Sequence, residues 1–326
     1  MDRDPKNILV VTLSNIGDVI LTTPVMMALL ERFPQAKITV VVGPRAQGIL
    51  QRSSALHRVV IYDKKAALFL KLMFILELRG EKYDWVVDLR NTAIPFLVSC
   101  KKRSPLFRKF TQVNMRERHL EVLGMTGLKP SRPPAPFQFF NEVDEIFALR
   151  ALDAIGVQEI NDWILIAAGA ASARKRWPAE KFRDLVKRLH EKTGKKILLV
   201  GALSERPVAE YIAVEVPGAV KILCGDLTLA ETAALVSKAS LLVANDSALM
   251  HLGYELGTPT VGIFGPTNHD KYGHTGPKFR IARADAAQCK CNSHTLPYAK
   301  RSCFHGLSVD RVFQLSMELL NGTQVS

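Results

Sequence analysis

The feature that most constrains the fold is a strand–helix–strand unit between residues 241 and 267. The apolar run at 241–244 shows no polar–apolar alternation, which predicts a parallel strand buried on both faces. The leucine spacing then predicts a helix over 248–256, ended by Gly257, and a second strand over 260–264. Such units build open, mostly parallel α/β sheets with helices on their faces.

Three polar residues connect the first strand of this unit to its helix: Asn245, Asp246 and Ser247. All three are residue types that favour helix N-termini. The carboxyl end of a buried strand followed by a helix N-terminus offers free N–H groups and a positive dipole end, which suit an anion. Two interpretations of Asp246 and Ser247 stay open, capping alone or contact with an anionic ligand.

Two more segments follow the same design. The strand predicted over 8–12 runs through Gly17 to Asp18, which falls in the first turn of a helix, where a negative charge is favourable in itself. The strand predicted over 163–167 runs into small residues and then three cations, Arg174 to Arg176, just before a helix started by Pro178. Cations there oppose the helix dipole, so a bound phosphate explains them better than a structural role does.

These segments carry a resemblance to a known family. Residues 245–251 (NDSALMH) and 257–267 (GTPTVGIFGPT) resemble the donor-site signature of the lipopolysaccharide heptosyltransferases, glycosyltransferase family 9. Residues 17–24 (GDVILTTP) resemble the family's Gly-Asp-hydrophobic-x-x-Thr-x-Pro motif. Residues 169–178 (GAASARKRWP) resemble its Gly-Ala-x-x-x-x-Lys-Arg/His-Trp-Pro motif. The motifs occur in the family's order, and the resemblance spans nearly the whole chain.

The resemblance implies a GT-B fold, with two doubly wound Rossmann-like α/β domains facing each other across a cleft. We expect an acceptor-binding domain at 1–155 and a nucleotide-sugar donor domain at 156–305. The boundary follows a helix predicted over 142–155 that Gly156 ends. A C-terminal helix within 306–326 is expected to pack back toward the first domain.

The resemblance also implies an activity, the transfer of heptose from ADP-L-glycero-D-manno-heptose to the inner core of lipopolysaccharide. The family inverts the anomeric configuration and uses no metal ion or other cofactor. A nucleotide-sugar-binding scaffold of the same fold, without transferase activity, is the alternative.

By the same resemblance Asp18 is the catalytic base, Lys175 contacts the diphosphate and Glu205 binds the donor ribose. Two alternatives stay open: Glu205 can be a structural acid in the first turn of a helix, and His251 can be a histidine of the core. In the loop before Lys175, where the family often has Thr or Ser, only Ser172 carries a hydroxyl. The expected donor-binding residues are Ser172, Lys175, Glu205, Asp246, Ser247, Ala248 and His251.

The net charge of +13 predicts an anionic partner. Residues 101–132 hold nine Lys and Arg against two Glu. A solvated surface is one interpretation; contact with an anionic lipopolysaccharide acceptor or lipid headgroups is the one we favour. Nucleic acid is not expected, since the segment offers only two aromatic rings for stacking and no nucleic-acid-binding motif. The expected acceptor-binding residues are Arg108, Lys109, Arg116 and Arg118.

The helix predicted over 64–79 is apolar on more than one face, which fits either a buried core helix or a helix resting on a membrane. No apolar run approaches the roughly 20 residues of a membrane span. The N-terminus shows no signal-peptide pattern, and the odd count of five cysteines indicates a reducing compartment. We therefore expect a cytoplasmic protein, peripheral on the inner membrane.

Cys289, Cys291 and Cys303 form a group near two histidines. Their spacing fits no common zinc pattern, so the site is expected to hold no metal. No Gly-x-Gly-x-x-Gly follows the first strand, which argues against an ordinary dehydrogenase.

Overall fold

The computed structural model describes residues 4–12, 15–157, 163–284, 304 and 306–322. It divides into two compact units, Met1–Asn141 and Glu142–Ser326. Each unit is built on its own parallel sheet, as the buried apolar strands of the sequence predict.

The first unit has a five-stranded sheet in the order β3–β2–β1–β4–β5. Its strands are β1 (Asn7–Val11), β2 (Lys37–Val42), β3 (Arg58–Ile61), β4 (Tyr83–Asp88) and β5 (Cys100–Arg103). The helices are α1 (Ile16–Ile20), α2 (Thr23–Arg32), α3 (Gln47–Leu50), α4 (Leu68–Arg79), α5 (Ile94–Leu97) and α6 (Met115–Met125). The chain leaves β1 toward β2 on one side and later returns to β4 on the other. In sheets of this kind, the carboxyl ends at such a reversal form a ligand-binding crevice.

The second unit has a six-stranded sheet in the order β11–β10–β9–β6–β7–β8, with its reversal between β6 and β9. Its strands are β6 (Trp163–Ala167), β7 (Lys196–Leu199), β8 (Val220–Ile222), β9 (Leu241–Asn245), β10 (Thr260–Phe264) and β11 (Phe279–Arg283). The helices are α7 (Glu142–Ala154), α8 (Ala179–Thr193), α9 (Arg206–Ala213), α10 (Leu229–Lys238), α11 (Ala248–Leu256), α12 (His269–Tyr272) and α13 (Val309–Gly322). The predicted helix at 248–256 and strand at 260–264 are confirmed with the same bounds.

Helices α7 and α13 both pack within the second unit. Helix α7 packs against α10, and Glu145 pairs with Lys238 at 2.8 Å, so the compact units divide before this helix and not near residue 155. Helix α13 packs on α8 and on β9 to β11. Its buried face, including Val312, Leu315 and Leu319, belongs to the core of the second unit, because these side chains complete the cover of that sheet. That this helix also packs toward the first unit stays a prediction.

Helix α4 is not the buried core helix that its apolar composition allows. Only Phe74 and Leu78 are buried; they pack with β1, β2 and α5 on one face of the first sheet. Six other large apolar side chains of α4 are exposed. No helix in the described part of the chain is both long and apolar enough to cross a bilayer.

Candidate functional site

A cluster of motif residues in the second unit lies where β6 and β9 end side by side. Ala167 of β6 is in register with Ala244 of β9, so the segments that follow them leave the same edge of the sheet. After β6 the chain enters the small-residue loop and the three cations, and after β9 it enters Asn245 to Ser247. The two motifs therefore lie side by side because their strands are neighbours in the sheet.

Asn245 fastens the two segments together. Its side chain is fully buried, and its Oδ1 accepts a hydrogen bond from Trp177 N at 3.0 Å. Its Nδ2 donates to Ala168 O at 2.6 Å. The ring of Trp177 is buried edge-on against Phe182, with centroids 5.0 Å apart. The loop from 168 to 177 is thus held at both ends by one amide and one anchored ring.

Lys175 projects from this held loop to Asp246. Its Nζ lies 2.8 Å from Asp246 Oδ2, and the carboxylate side chain is only 4% exposed, whereas that of the lysine is 35% exposed. His251 Nε2 lies 4.0 Å from the other carboxylate oxygen, and the Tyr272 ring centroid is 6.0 Å from Lys175 Nζ. An ammonium carries three donors, so Lys175 can contact Asp246 and an external anion together.

The capping interpretation of Asp246 and Ser247 does not account for their positions. Ser247 is the N-cap residue of α11, but its side chain makes no capping hydrogen bond. Its buried Oγ has no hydrogen-bond partner within the described ranges. Ala248 opens the helix. The first N–H groups of a helix lack partners inside it, so the end of α11 keeps donors available for an anion.

Glu205 lies beside the same loop, where its carboxylate accepts a backbone hydrogen bond and also lines a pocket. Its Oε2 accepts a hydrogen bond from Ala202 N at 2.9 Å, which is the structural role open to a first-turn acid. Its carboxylate also lies on two glycines: a Cβ at Gly169 would come within 1.8 Å of Oε1, and one at Gly201 within 2.3 Å of Oε2. Without side chains there, the carboxylate lines a small open pocket.

The wall of that pocket joins the ends of β6 and β7 to helix α9. Two of its residues, Glu205 and Arg176, are charged. The others are apolar or small, namely Ile166, Ala168, Gly169, Leu199, Val200, Val208, Ala209 and Cys224. Apolar walls with a few polar groups are typical of small-molecule sites. Ser172 is exposed in the neighbouring loop, where its carbonyl accepts from Lys175 N at 2.9 Å.

Asp18 lies in the first unit, in the first turn of α1 beyond the carboxyl end of β1. It is partly exposed, and Asn15 Nδ2 donates to its Oδ2 at 3.4 Å. Asp88, at the end of the adjacent strand β4, is another carboxylate of this edge. It is 1% exposed and accepts from Arg90 N at 2.7 Å and from Thr92 N at 2.5 Å. Asp88 therefore holds the turn after β4, whereas Asp18 is open to a ligand.

The four predicted acceptor residues are in different surroundings. Arg108 is half-buried and donates to Asp88 O at 2.5 Å and Pro105 O at 2.7 Å, so it is partly structural. Arg118 donates to Gln112 O at 2.6 Å, and Arg116 pairs with Glu117 at 3.1 Å. Lys109 is exposed. Only Arg108 is thereby placed at the edge where β4 ends.

Sequence reasoning missed His119, which is buried in α6. Its burial, together with the nearby charges of Arg90 and Arg108, lowers the pKa of the imidazole to about 3. The sequence signal for this residue is a histidine inside a strongly basic segment, because neighbouring cations disfavour a positive charge on the imidazole. His119 therefore stays neutral beside the two arginines.

This buried histidine should make the protein sensitive to acid. Between pH 6.5 and 3 the unfolded chain binds a proton at His119 that the folded chain does not, so the free energy of unfolding falls as pH falls. At pH 5 the loss is about 2 kcal/mol relative to pH 7. Urea unfolding of the wild type and of His119→Gln at both pH values should show a smaller pH dependence in the variant. Equal pH dependence would mean that His119 titrates normally.

Cys289, Cys291 and Cys303 lie outside the described residues, so the expectation that they hold no metal stays a prediction.

Comparison with known proteins decides the family. A sequence model described as glycosyltransferase family 9 (heptosyltransferase) matches residues 138–301. The chain belongs to glycosyltransferase family 9. Among curated proteins, this family 9 glycosyltransferase is 28% identical over 289 residues to lipopolysaccharide heptosyltransferase 3 of Escherichia coli, covering 78% of this chain and 82% of that protein.

Solved structures agree with the fold. A family 9 glycosyltransferase from Veillonella parvula matches with a TM-score of 0.81 at 21% identity, covering 98% of this chain and 99% of that one. The E. coli heptosyltransferase WaaC with ADP-2-deoxy-2-fluoro heptose matches with a TM-score of 0.72 at 22% identity, covering 96% and 99%. The predicted fold class, two parallel-sheet α/β domains of the GT-B heptosyltransferase type, is confirmed.

Proposed function

We propose that this glycosyltransferase moves heptose from ADP-L-glycero-D-manno-heptose to the inner core of lipopolysaccharide, with inversion at the anomeric carbon. The observation that carries the proposal is the pairing of Lys175 with buried Asp246 at the uncapped N-terminus of α11. That arrangement aims a cation and free N–H groups at one point, as a diphosphate requires. The family membership and the relative solved with an ADP-heptose analogue support the choice of donor.

The remaining donor residues follow from this placement. Lys175, Ser247 and the N–H of Ala248 would contact the diphosphate, with His251 behind Asp246. The pocket beside Glu205 has the apolar wall that a nucleoside needs, with the Glu205 carboxylate available to accept from ribose hydroxyls. Ser172 would add a hydroxyl from the loop.

The chemistry needs a base and a stabilised leaving group. Asp18 would take the proton of the acceptor hydroxyl as its oxygen bonds to the anomeric carbon. The bond from that carbon to the diphosphate breaks on the opposite side, which inverts the configuration and releases ADP. Lys175 and the α11 N–H groups would stabilise the charge that develops on ADP. We propose that these groups suffice without a metal ion.

Transfer can be measured directly. Purified protein, ADP-heptose and a Kdo-containing inner-core acceptor should yield ADP and a heptosylated product by mass spectrometry, and the rate should be unchanged in EDTA. Binding of ADP-heptose without product, over a panel of acceptors bearing Kdo or heptose, would favour the scaffold alternative. Loss of activity in EDTA that zinc or iron restores would overturn the metal-free mechanism.

We propose further that the acceptor is met at the inner face of the cytoplasmic membrane, through the basic segment 101–132. Replacing Arg108, Lys109, Arg116 and Arg118 by Gln should raise KM for an anionic acceptor at least about tenfold, because several charge-assisted contacts are lost. Affinity for ADP should not change, since the nucleotide motifs belong to the other unit. Arg108 also anchors the turn after β4, so a triple variant that keeps it serves as the folding control. An equal loss of ADP affinity would place the segment at the donor site.

A further inference from the structure

The outward face of α4 carries none of the residues that the proposed reaction uses. Six large apolar side chains on it are between 48% and 74% exposed, namely Leu68, Phe69, Leu70, Leu72, Met73 and Leu76. A helix on a globular surface normally has one apolar stripe facing the core and a polar face outward. Here the inward stripe already exists in Phe74 and Leu78, so the outward residues are a second stripe.

The helical spacing makes this second stripe continuous. Leu68, Leu72 and Leu76 follow each other at every fourth position, and Phe69 and Met73 run beside them. Side chains four residues apart lie one above the other on a helix. The stripe therefore runs along the helix and is not a set of scattered surface residues.

The apolar surface extends onto α5. Arg79 Nε at the end of α4 donates to Leu97 O at 2.6 Å, which joins the two helices. Phe96 and Leu97 of α5 are themselves exposed. The guanidinium of Arg103 lies 4.9 Å above the Phe96 ring. Contiguous exposed apolar surface of this kind marks an interaction site in a soluble protein.

The charges of α4 and of the segment that follows it favour an anionic surface as the partner. Residues 64–109 contain eleven Lys and Arg against four Asp and Glu. All four acids are engaged: Glu77 and Glu81 pair with Arg58, Asp84 pairs with Lys101, and Asp88 is buried. Two lysines, Lys64 and Lys65, are exposed just before the helix, and Lys71 lies at its side.

We infer that the α4–α5 face is the surface that inserts into the headgroup region of an anionic bilayer. An apolar helical stripe bordered by lysines fits an interfacial helix lying in the plane of the membrane. A second copy of the chain fits less well, since pairing through this face would bring the same lysines together. This assignment names the surface for the membrane contact that the proposed function includes, and in that respect it rests on the proposed function.

Vesicle binding tests this inference without donor or acceptor. Leu72→Glu/Leu76→Glu should bind vesicles of phosphatidylcholine and phosphatidylglycerol at least about tenfold more weakly than the wild type in flotation assays. The matched control is Ile146→Glu/Phe147→Glu on α7, where two apolar side chains of similar exposure are replaced, and it should bind normally. Changing Lys64, Lys65 and Lys71 to Gln should weaken binding to anionic vesicles at least about tenfold and leave binding to neutral vesicles unchanged.

The inference is overturned if the α4 variant binds vesicles as well as the wild type, or if the α7 control loses as much binding. It is also overturned if the wild type binds no vesicles and instead self-associates in a way that the α4 variant abolishes. Unfolding is excluded by circular dichroism and by ADP affinity, because the substituted positions are exposed and lie outside the nucleotide site. Transfer to a water-soluble acceptor should be the same in the α4 variant and the wild type. If the wild type binds vesicles but transfers nothing, the proposed reaction fails and the membrane face stands.

Discussion

Asp18→Asn is expected to lower kcat by about 10²–10⁴-fold, the usual cost of removing a general base. The amide keeps the size of the side chain and can still interact with Asn15, but it cannot take a proton from the acceptor hydroxyl. Because Asp18 is partly exposed and its one described side-chain bond is long, at 3.4 Å, the melting temperature should change little. Affinity for ADP-heptose, measured by titration calorimetry, should also stay near that of the wild type.

Asp88→Asn is the contrasting variant at the same sheet edge. Asp88 is buried and accepts hydrogen bonds from the turn that follows β4, so its replacement should lower the melting temperature. If instead Asp18→Asn kept normal turnover while a folded Asp88→Asn lost it, the base would be Asp88. If Asp18→Asn unfolded the protein, Asp18 would be a structural residue.

Lys175→Ala is expected to weaken ADP-heptose binding about tenfold to a hundredfold, since a hydrogen bond to a charged group contributes about 1.5–3 kcal/mol. The same change leaves the buried Asp246 carboxylate without its ion-pair partner, which by itself can disturb the site. The double variant Lys175→Ala/Asp246→Asn separates the two effects because it removes the stranded charge as well.

If Lys175 contacts the diphosphate, the double variant should bind ADP as weakly as the single variant, although its melting temperature recovers. Recovery of ADP affinity in the double variant would show that Lys175 only neutralises Asp246. Lys187→Ala, an exposed lysine on α8, controls for the loss of one positive charge from the same unit. Calorimetric titration with ADP at constant ionic strength is the measurement.

Much of the fold could be predicted because buried parallel strands appear as unbroken apolar runs. That signal placed the strand at 241–244 and the one at 260–264, and leucine spacing placed the helix between them. The sequence indicates that Lys175 and Asp246 each lie beyond the carboxyl end of a strand, where ligands bind in sheets of this kind. Their pairing could not be predicted, because the sequence does not state that β6 and β9 are neighbours.

What could not be predicted depends on contacts between distant parts of the chain. The composition of 142–155 indicates a helix but not that it packs against α10, and this contact sets the boundary between the units. The apolar residues of α4 indicate a need for burial without saying that one face remains uncovered. Asn245 reads as a helix-capping residue, and only the fold shows that it ties two loops together.

The double hydrogen bond of Asn245 has a consequence for the thermodynamics of nucleotide recognition. A flexible phosphate-binding loop must lose conformational entropy when it closes on its ligand, and this loss weakens the affinity that its contacts would otherwise give. In this chain the loop between Ala168 and Trp177 is tied to β9 by hydrogen bonds within the protein itself. The ordering cost is met during folding, so the contacts made by this loop can appear almost entirely as affinity for the nucleotide.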